Sequence, residues 1–262
     1  MRIALAQVLS STAPDANLEL VRRYTAEAAA QRAELVVFPE ATMCSFARPR
    51  ADVAEPFDGP WATAVRSIAR DAGITVVVGM FTTTGVPQVH NTLLATGGAE
   101  ARYDKLHLFD ALGYAESRQI LAGDHPVAFD LAGHTFGLAT CYDVRFPALF
   151  THLAGAGASV ILLPASWAPG EEKLHQWRTL VTARAMDSTA FVIAVDQALP
   201  PGSAGRSSPT GIGHSLAVGP TGTVLLELGN DPELAVLDLD LDSVPEVRER
   251  LPVLRSQVQL TP

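Results

Sequence analysis

His134-Thr135-Phe136-Gly137-Leu138-Ala139-Thr140-Cys141-Tyr142-Asp143-Val144-Arg145-Phe146-Pro147 is the stretch on which the reading of this chain turns. His134 to Ala139 reads as a strand, and a helical pattern runs from Pro147 to Leu153. Cys141 therefore stands on a strand-to-helix turn. A thiol in that place has backbone N–H groups and the positive end of a helix beside it. Both favour a thiolate and any oxyanion formed next to it. Such a cysteine is a candidate nucleophile. The competing reading is a small core residue, since free Cys is among the most buried residue types. The neighbouring elements have to decide between the two.

Upstream of the turn, Arg2 to Val8 reads as a buried strand. Asp15 is placed to cap an Ala-rich amphipathic helix from Leu18 to Arg32. Leu35-Val36-Val37-Phe38 is a second strand, ending at Pro39-Glu40. Pro60 opens a helix over Trp61 to Ala72 that Gly73 closes. Ile74 to Phe81 is a β-branched strand. Val89 to Ala95 and Ala99 to Tyr103 pair as a hairpin about Gly97-Gly98, with Lys105 just beyond. His107 to Leu121 has no clean period and reads as a long loop. Val127 to Asp130 pairs with Thr135 to Ala139.

Downstream, Ser159 to Leu163 is a strand, Lys173 to Ser188 a helix and Phe191 to Val195 a strand. Pro200 to Gly213 is rich in Gly, Ser and Pro and reads as loop. Strands at His214 to Val218, Thr223 to Leu228 and Leu234 to Leu239 follow, then a short helix from Val244 to Arg250 and an extended tail. Strands and helices interleave, yet hairpins recur. That predicts an α/β fold with a mixed sheet. One echo stands out. Ala33-Glu34-Leu35-Val36-Val37-Phe38-Pro39-Glu40 resembles Ala158-Ser159-Val160-Ile161-Leu162-Leu163-Pro164-Ala165, each a buried strand with Pro at its end. It hints at two similar halves within one domain spanning 1–262, and no composition shift marks a linker.

With 262 residues, 48% of them hydrophobic and 18% charged, the chain has ample material for a core. A net charge of −9 without any Lys/Arg cluster argues against nucleic acid or an anionic membrane as partner. Met1 to Val8 is interrupted by polar residues too soon for a signal peptide. No apolar run reaches the roughly 18 residues of a membrane helix. Cys44 and Cys141 are the two cysteines. A disulfide scaffold is thereby excluded, no Cys/His zinc spacing occurs, and a cytoplasmic location is expected.

Glu40, Lys105 and Cys141 each stand at or just past the end of a buried strand, where α/β folds place their sites. Singly, Glu40 reads as a loop acid and Lys105 as a surface lysine; together they make a chemistry. Burial at Glu40 would raise its pKa, so that it takes a proton from a thiol and returns it to a leaving amine. Lys105 would set an ammonium beside the developing oxyanion, with the Tyr142 N–H as second donor. Cys141 would attack a carbonyl and form a thioester.

Phe38-Pro39-Glu40, Tyr103-Asp104-Lys105-Leu106-His107-Leu108-Phe109 and the Cys141 stretch stand in an order that resembles the nitrilase, or carbon–nitrogen hydrolase, superfamily. Leu163-Pro164-Ala165-Ser166-Trp167, Ala183-Arg184-Ala185, Gly213-His214-Ser215 and Gly219-Pro220-Thr221-Gly222 extend the likeness over essentially the whole chain. The resemblance implies an αββα four-layer sandwich that pairs into a homodimer or higher homo-oligomer. It implies a Glu-Lys-Cys triad of Glu40, Lys105 and Cys141. It also implies a second glutamate, matched by Glu116, that positions the lysine and helps the leaving group or water. Where many relatives have Glu, Asp187 stands here, at a position that looks structural.

True nitrilases usually have Cys-Trp-Glu at the nucleophile, and N-carbamoyl amino acid amidohydrolases have Cys-Asn-Asp followed by arginines. Cys141-Tyr142-Asp143-Val144-Arg145-Phe146-Pro147 is similar instead to the Nit branch. That branch holds ω-amidases acting on α-keto acid monoamides and amidases acting on deaminated glutathione. The expectation is hydrolysis of a small linear amide bearing a carboxylate. Carbamoyl hydrolysis and an inactive binding subunit of the same fold are the alternatives. Arg145 has two readings: a bidentate partner for a substrate carboxylate, or a structural ion pair with Asp143. Tyr142, Ser166 and Trp167 are candidates for the substrate pocket, Trp167 equally for the core. His107 reads as a packed, hydrogen-bonded histidine and Cys44 as inert. The implied chemistry requires no metal and no organic cofactor.

Overall fold

The computed structural model describes residues 1–202 and 209–258. Residues 203–208 of the expected Pro200–Gly213 loop and the last four residues lie outside the described residues. Two six-stranded sheets carry the fold. In the first, β1 (Arg2–Gln7), β2 (Leu35–Val37) and β3 (Thr75–Thr83) run parallel. Antiparallel β4 (Val89–Thr96) and β5 (Ala101–Asp104) extend one edge. A small separate hairpin of β6 (Asp110–Ala111) and β7 (Tyr114–Ala115) follows.

The second sheet has β8 (Val127–Leu131) antiparallel to β9 (His134–Leu138), which runs parallel to β10 (Ala158–Ala165) and β11 (Phe191–Asp196). Antiparallel β12 (Leu216–Val218) and β13 (Val224–Glu227) close it. The last strand, β14 (Glu233–Asp238), returns to the first sheet beside β1.

Helices α1 (Pro14–Ala30) and α2 (Pro60–Ala72) connect the parallel strands of the first sheet. Helices α3 (Pro147–Gly155) and α4 (Lys173–Ser188) do the same in the second, and α5 (Ser243–Arg250) ends the order. Strand alternation decides the layers, because successive side chains point to opposite faces. Ile3, Leu5, Leu35, Val37 and Val77 pack inward against Phe136, Leu138, Val160, Leu162 and Ile193 of the other sheet. Ala4, Val36 and Val76 face Val21, Ala28, Trp61 and Val65 of α1 and α2. Ile161, Leu163 and Val192 face Phe150, Leu153, Trp177 and Val181 of α3 and α4. The result is the αββα sandwich. The echo between residues 33–40 and 158–165 is structural: β2 and β10 are each the middle strand of a parallel trio.

Two expectations are corrected. Asp15 does not cap α1; the helix starts at Pro14, with Ala13 at the cap and no side-chain cap bond. Proline suits the first helical position because its missing N–H would have no partner there anyway. The expected loop 107–121 holds the β6–β7 hairpin and a single-turn helix over Glu116–Arg118. Leu112 and Gly113 both have positive φ, 56° and 81°, as the tightest hairpin turns require. Two-residue strands are too short to show a period. Among the described residues no helix is long and apolar enough to cross a membrane.

Candidate active site

Glu40, Lys105, Glu116 and Cys141 converge on one cleft. Glu40 lies just beyond β2, Lys105 follows β5, Glu116 opens the turn after β7, and Cys141 follows β9. The side chains of Glu40, Lys105 and Glu116 are all but fully buried. Lys105 Nζ lies 2.9 Å from Glu40 Oε1 and 2.9 Å from Glu116 Oε2, with Glu116 Oε1 at 3.1 Å. Asn91 Nδ2 donates to both carboxylates, at 2.7 Å to Glu40 Oε1 and 3.2 Å to Glu116 Oε1. The Phe109 N–H donates to Glu116 Oε2 at 2.7 Å.

Glu40 and Cys141 meet through Ser166, the first residue after β10. The Ser166 N–H donates to Glu40 Oε2 at 2.9 Å, and the Cys141 thiol lies 3.8 Å from the Ser166 carbonyl oxygen. The two middle strands thus bring their ends together at the base of the cleft.

Electrostatics separate the roles. Burial pushes Glu40 above the usual carboxylate range; Lys105 pulls it back and Glu116 pushes it further up. Burial alone would lower Lys105, but Glu116 and Glu40 outweigh it and hold the ammonium well above its ordinary value. Lys105 is therefore a fixed positive charge. Burial, then Glu40, pushes the Cys141 thiol well above its usual range, against an opposing pull from Lys105. This push runs against the pull toward a thiolate expected from the turn. The segment Cys141–Arg145 is one turn of 3-10 helix, and α3 begins only at Pro147. Burial therefore works against the thiolate that the turn favours, and Glu40 stands where it can take the proton.

The turn itself is held under strain. Cys141 has φ 47°, in the left-handed region that non-glycine residues rarely adopt. Asp143 fixes it. One carboxylate oxygen accepts from the Thr140 N–H at 2.7 Å and from the Tyr103 hydroxyl at 2.6 Å. The other accepts from the His107 N–H at 3.1 Å and lies 2.7 Å from His107 Nδ1. Residues on either side of Lys105 are thereby tied to the residue before Cys141. His107 also stacks on Phe146, ring centres 3.7 Å apart, which bears out its reading as a packed histidine. The Arg145–Asp143 ion pair is not formed, because other groups occupy both Asp143 oxygens. Arg145 Nη2 donates instead to Gln176 Oε1 at 2.6 Å.

The cleft has about 410 Å³ of empty space, open solvent included. Tyr142, Arg145, Ser166 and Trp167 all line it, with Phe46, Phe109, Tyr114 and Lys173. Trp167 is buried as well: its N–H donates to Asp196 at 2.8 Å and its Nε1–H to the Lys173 carbonyl at 3.1 Å. Both of its readings hold. Cys44 is buried away from this set, and burial raises its thiol too. Asp187 pairs with Arg184 at 2.6 Å, a structural contact. Among the described residues no three His, Cys, Asp or Glu side chains converge as a metal site requires. Sequence reasoning missed Asn91. Its one signal was a polar amide inside the apolar strand Val89–Thr96.

The carbon-nitrogen hydrolase family model matches residues 2–249, and the chain belongs to that family. It is an enzyme that hydrolyses carbon–nitrogen bonds. A Mycobacterium tuberculosis protein named Hydrolase Rv0480c is 51% identical, over 98% of this chain and 95% of its own length. Deaminated glutathione amidase of Escherichia coli is 32% identical over 98% of this chain and 97% of its own. Human omega-amidase NIT2 is 28% identical over 98% and 94%. Among solved structures, a glutamate-to-glutamine mutant of the amidase from Nesterenkonia sp. AN1 superposes with a TM-score of 0.76 at 29% identity, over 96% of this chain and 98% of its own; that mutant shows the result of Michael addition of acrylamide at the active site cysteine.

Proposed function

We propose that this enzyme hydrolyses a small linear amide bearing a carboxylate, through a thioester on Cys141. One observation carries the reading: Glu40 and Cys141 both touch the Ser166 backbone at the base of a cleft, with the Lys105 ammonium bonded to Glu40. The Cys141 sulfur attacks the amide carbon as Glu40 takes the thiol proton. The carbonyl electron pair moves onto oxygen. That oxyanion is met by a Lys105 N–H, now shared with Glu116, and by the Tyr142 N–H at the head of its turn, where leading N–H groups have no intrahelical acceptor. The tetrahedral adduct collapses, the C–N bond breaks, and ammonia leaves with the proton from Glu40. Water then attacks the thioester, giving its proton to Glu40, which returns it to the departing sulfur. The products are ammonia and the free acid.

The Nesterenkonia amidase supports a nucleophilic role for the cysteine, and the omega-amidase relative supports an amide remote from a carboxylate. Arg145, with no carboxylate partner among the described residues, is the cation that would receive the substrate's own carboxylate. Assembly into a homodimer belongs to the same reading, and sedimentation measures it. A panel of ω-amides, ureido acids and nitriles, scored by ammonia release, tests the substrate class. The ω-amides should be turned over fastest. Carbon dioxide from the ureido acids at a higher rate would overturn the amide preference.

A further inference from the structure

A second cation stands in the cleft. Lys173 is the first residue of α4, and its ammonium lies 5.7 Å from the Trp167 ring centre and 5.9 Å from that of Phe109. The Arg145 guanidinium lies over the same Trp167 ring, 5.2 Å from its centre. Among the described residues neither cation has a carboxylate within ion-pair distance, and Lys173 Nζ has no hydrogen-bond partner. Glu171 and Glu172 precede it in the chain but point to solvent.

A cation at the first position of a sixteen-residue helix faces the positive end of the helix dipole, the unfavourable end. Burial, then the neighbouring Arg145, lowers the Lys173 pKa, against an opposing pull from Cys141. Its backbone is anchored beside the cleft, since the Trp167 Nε1–H donates to the Lys173 carbonyl at 3.1 Å. Two like charges beside one aromatic ring, with no carboxylate within ion-pair distance among the described residues, suit an anion.

We propose that Lys173 is the specificity residue for the acyl end of the substrate, which is a carboxylate bound with one oxygen toward Lys173 and the other toward Arg145. The substrate class stays the carboxylate-bearing ω-amide of the proposed function, and what is new is the residue that selects it. This rests on the amidase reading above. It adds that charge selection needs both cations rather than Arg145 alone.

The test compares succinamate and glutaramate with their neutral counterparts butyramide and valeramide. In Lys173→Met protein the kcat/KM ratio of succinamate to butyramide should fall tenfold or more, mainly through KM. Lys173→Arg should restore most of it. Succinate binding to Cys141→Ala protein, read by tryptophan fluorescence, should weaken by a similar factor when Lys173→Met is added. An unchanged ratio, or an equal loss on charged and neutral amides, overturns the proposal; equal loss would place Lys173 in the chemistry or the fold. If no amide releases ammonia, the amidase reading fails, while the succinate measurement still decides the role of Lys173.

Discussion

Replacing Asp143 by Asn changes one oxygen to an NH2 and leaves the shape alone, yet no orientation of the amide satisfies its neighbours. The carboxylate faces four donor groups: the Thr140 N–H, the Tyr103 hydroxyl, the His107 N–H and the His107 ring. The hydroxyl and the ring can reverse and accept. The two backbone N–H groups cannot, and one lies on each oxygen. Either flip of the amide therefore sets an NH2 against a backbone N–H, buried at Thr140 and part-buried at His107. The loss is one hydrogen bond to a charged acceptor, about 1.5–3 kcal/mol, plus an unsatisfied buried donor, about 1–3 kcal/mol. Together they predict a destabilisation of about 2.5–6 kcal/mol. Because the same carboxylate ties the Lys105 segment to the strained Cys141 turn, kcat should also fall about a hundredfold, the effect of an ångström-scale misplacement. Urea unfolding and ammonia release measure the two effects on the same protein. A stability change below about 1 kcal/mol together with unchanged kcat would refute the clamp and the reasoning behind it.

Other substitutions probe the support of the site. A Cβ at Gly79 would lie 2.6 Å from the Ala41 nitrogen and 2.9 Å from the Glu40 Cα. Both are backbone atoms of the base's own loop, so Gly79→Ala should cost about 1–3 kcal/mol in a urea melt and lower kcat. Lys105→Met leaves Glu40 and Glu116 side by side and unpaired, which predicts a loss of about 3–5 kcal/mol at neutral pH and no measurable turnover. Lys105 has a folded pKa above its unfolded one. Its ion pairs therefore stabilise fully below the ordinary lysine range, and that stability is lost only as pH climbs through the raised value. Urea melts from neutral to alkaline pH should show wild type and Lys105→Met converging there. Glu40 must be unprotonated to act as base, and its pKa is raised. Accordingly kcat/KM should fall on acidification through a pKa above the usual carboxylate range; a flat profile down to that range would remove Glu40 from the role.

Elements whose signal is local were legible. Helix α4 is read from sequence with the same ends, Lys173 and Ser188, that the structure shows. Strands β2 and β10 follow from their aliphatic runs and terminal prolines. The β6–β7 hairpin escaped because two residues cannot display a period. In the site, Glu40, Lys105 and Cys141 were visible as polar residues at strand ends, and the family motifs added Glu116. The Asp143 clamp was not visible, since Tyr103 and His107 lie about forty residues away and meet it only through the packing of two sheets. The upward push on the Cys141 thiol was not visible for a related reason. A turn can be seen in sequence, but the burial that opposes it depends on everything packed around it.

The central claim is an acyl-enzyme on Cys141. Intact-mass spectrometry of protein acid-quenched while turning over a carboxylate ω-amide tests it most directly. Wild type should gain the mass of the amide less ammonia, on the peptide that contains Cys141, and Cys141→Ala protein should show neither the adduct nor ammonia release. Ammonia release that persists in Cys141→Ala protein, with Cys141 unmodified in wild type, would contradict it.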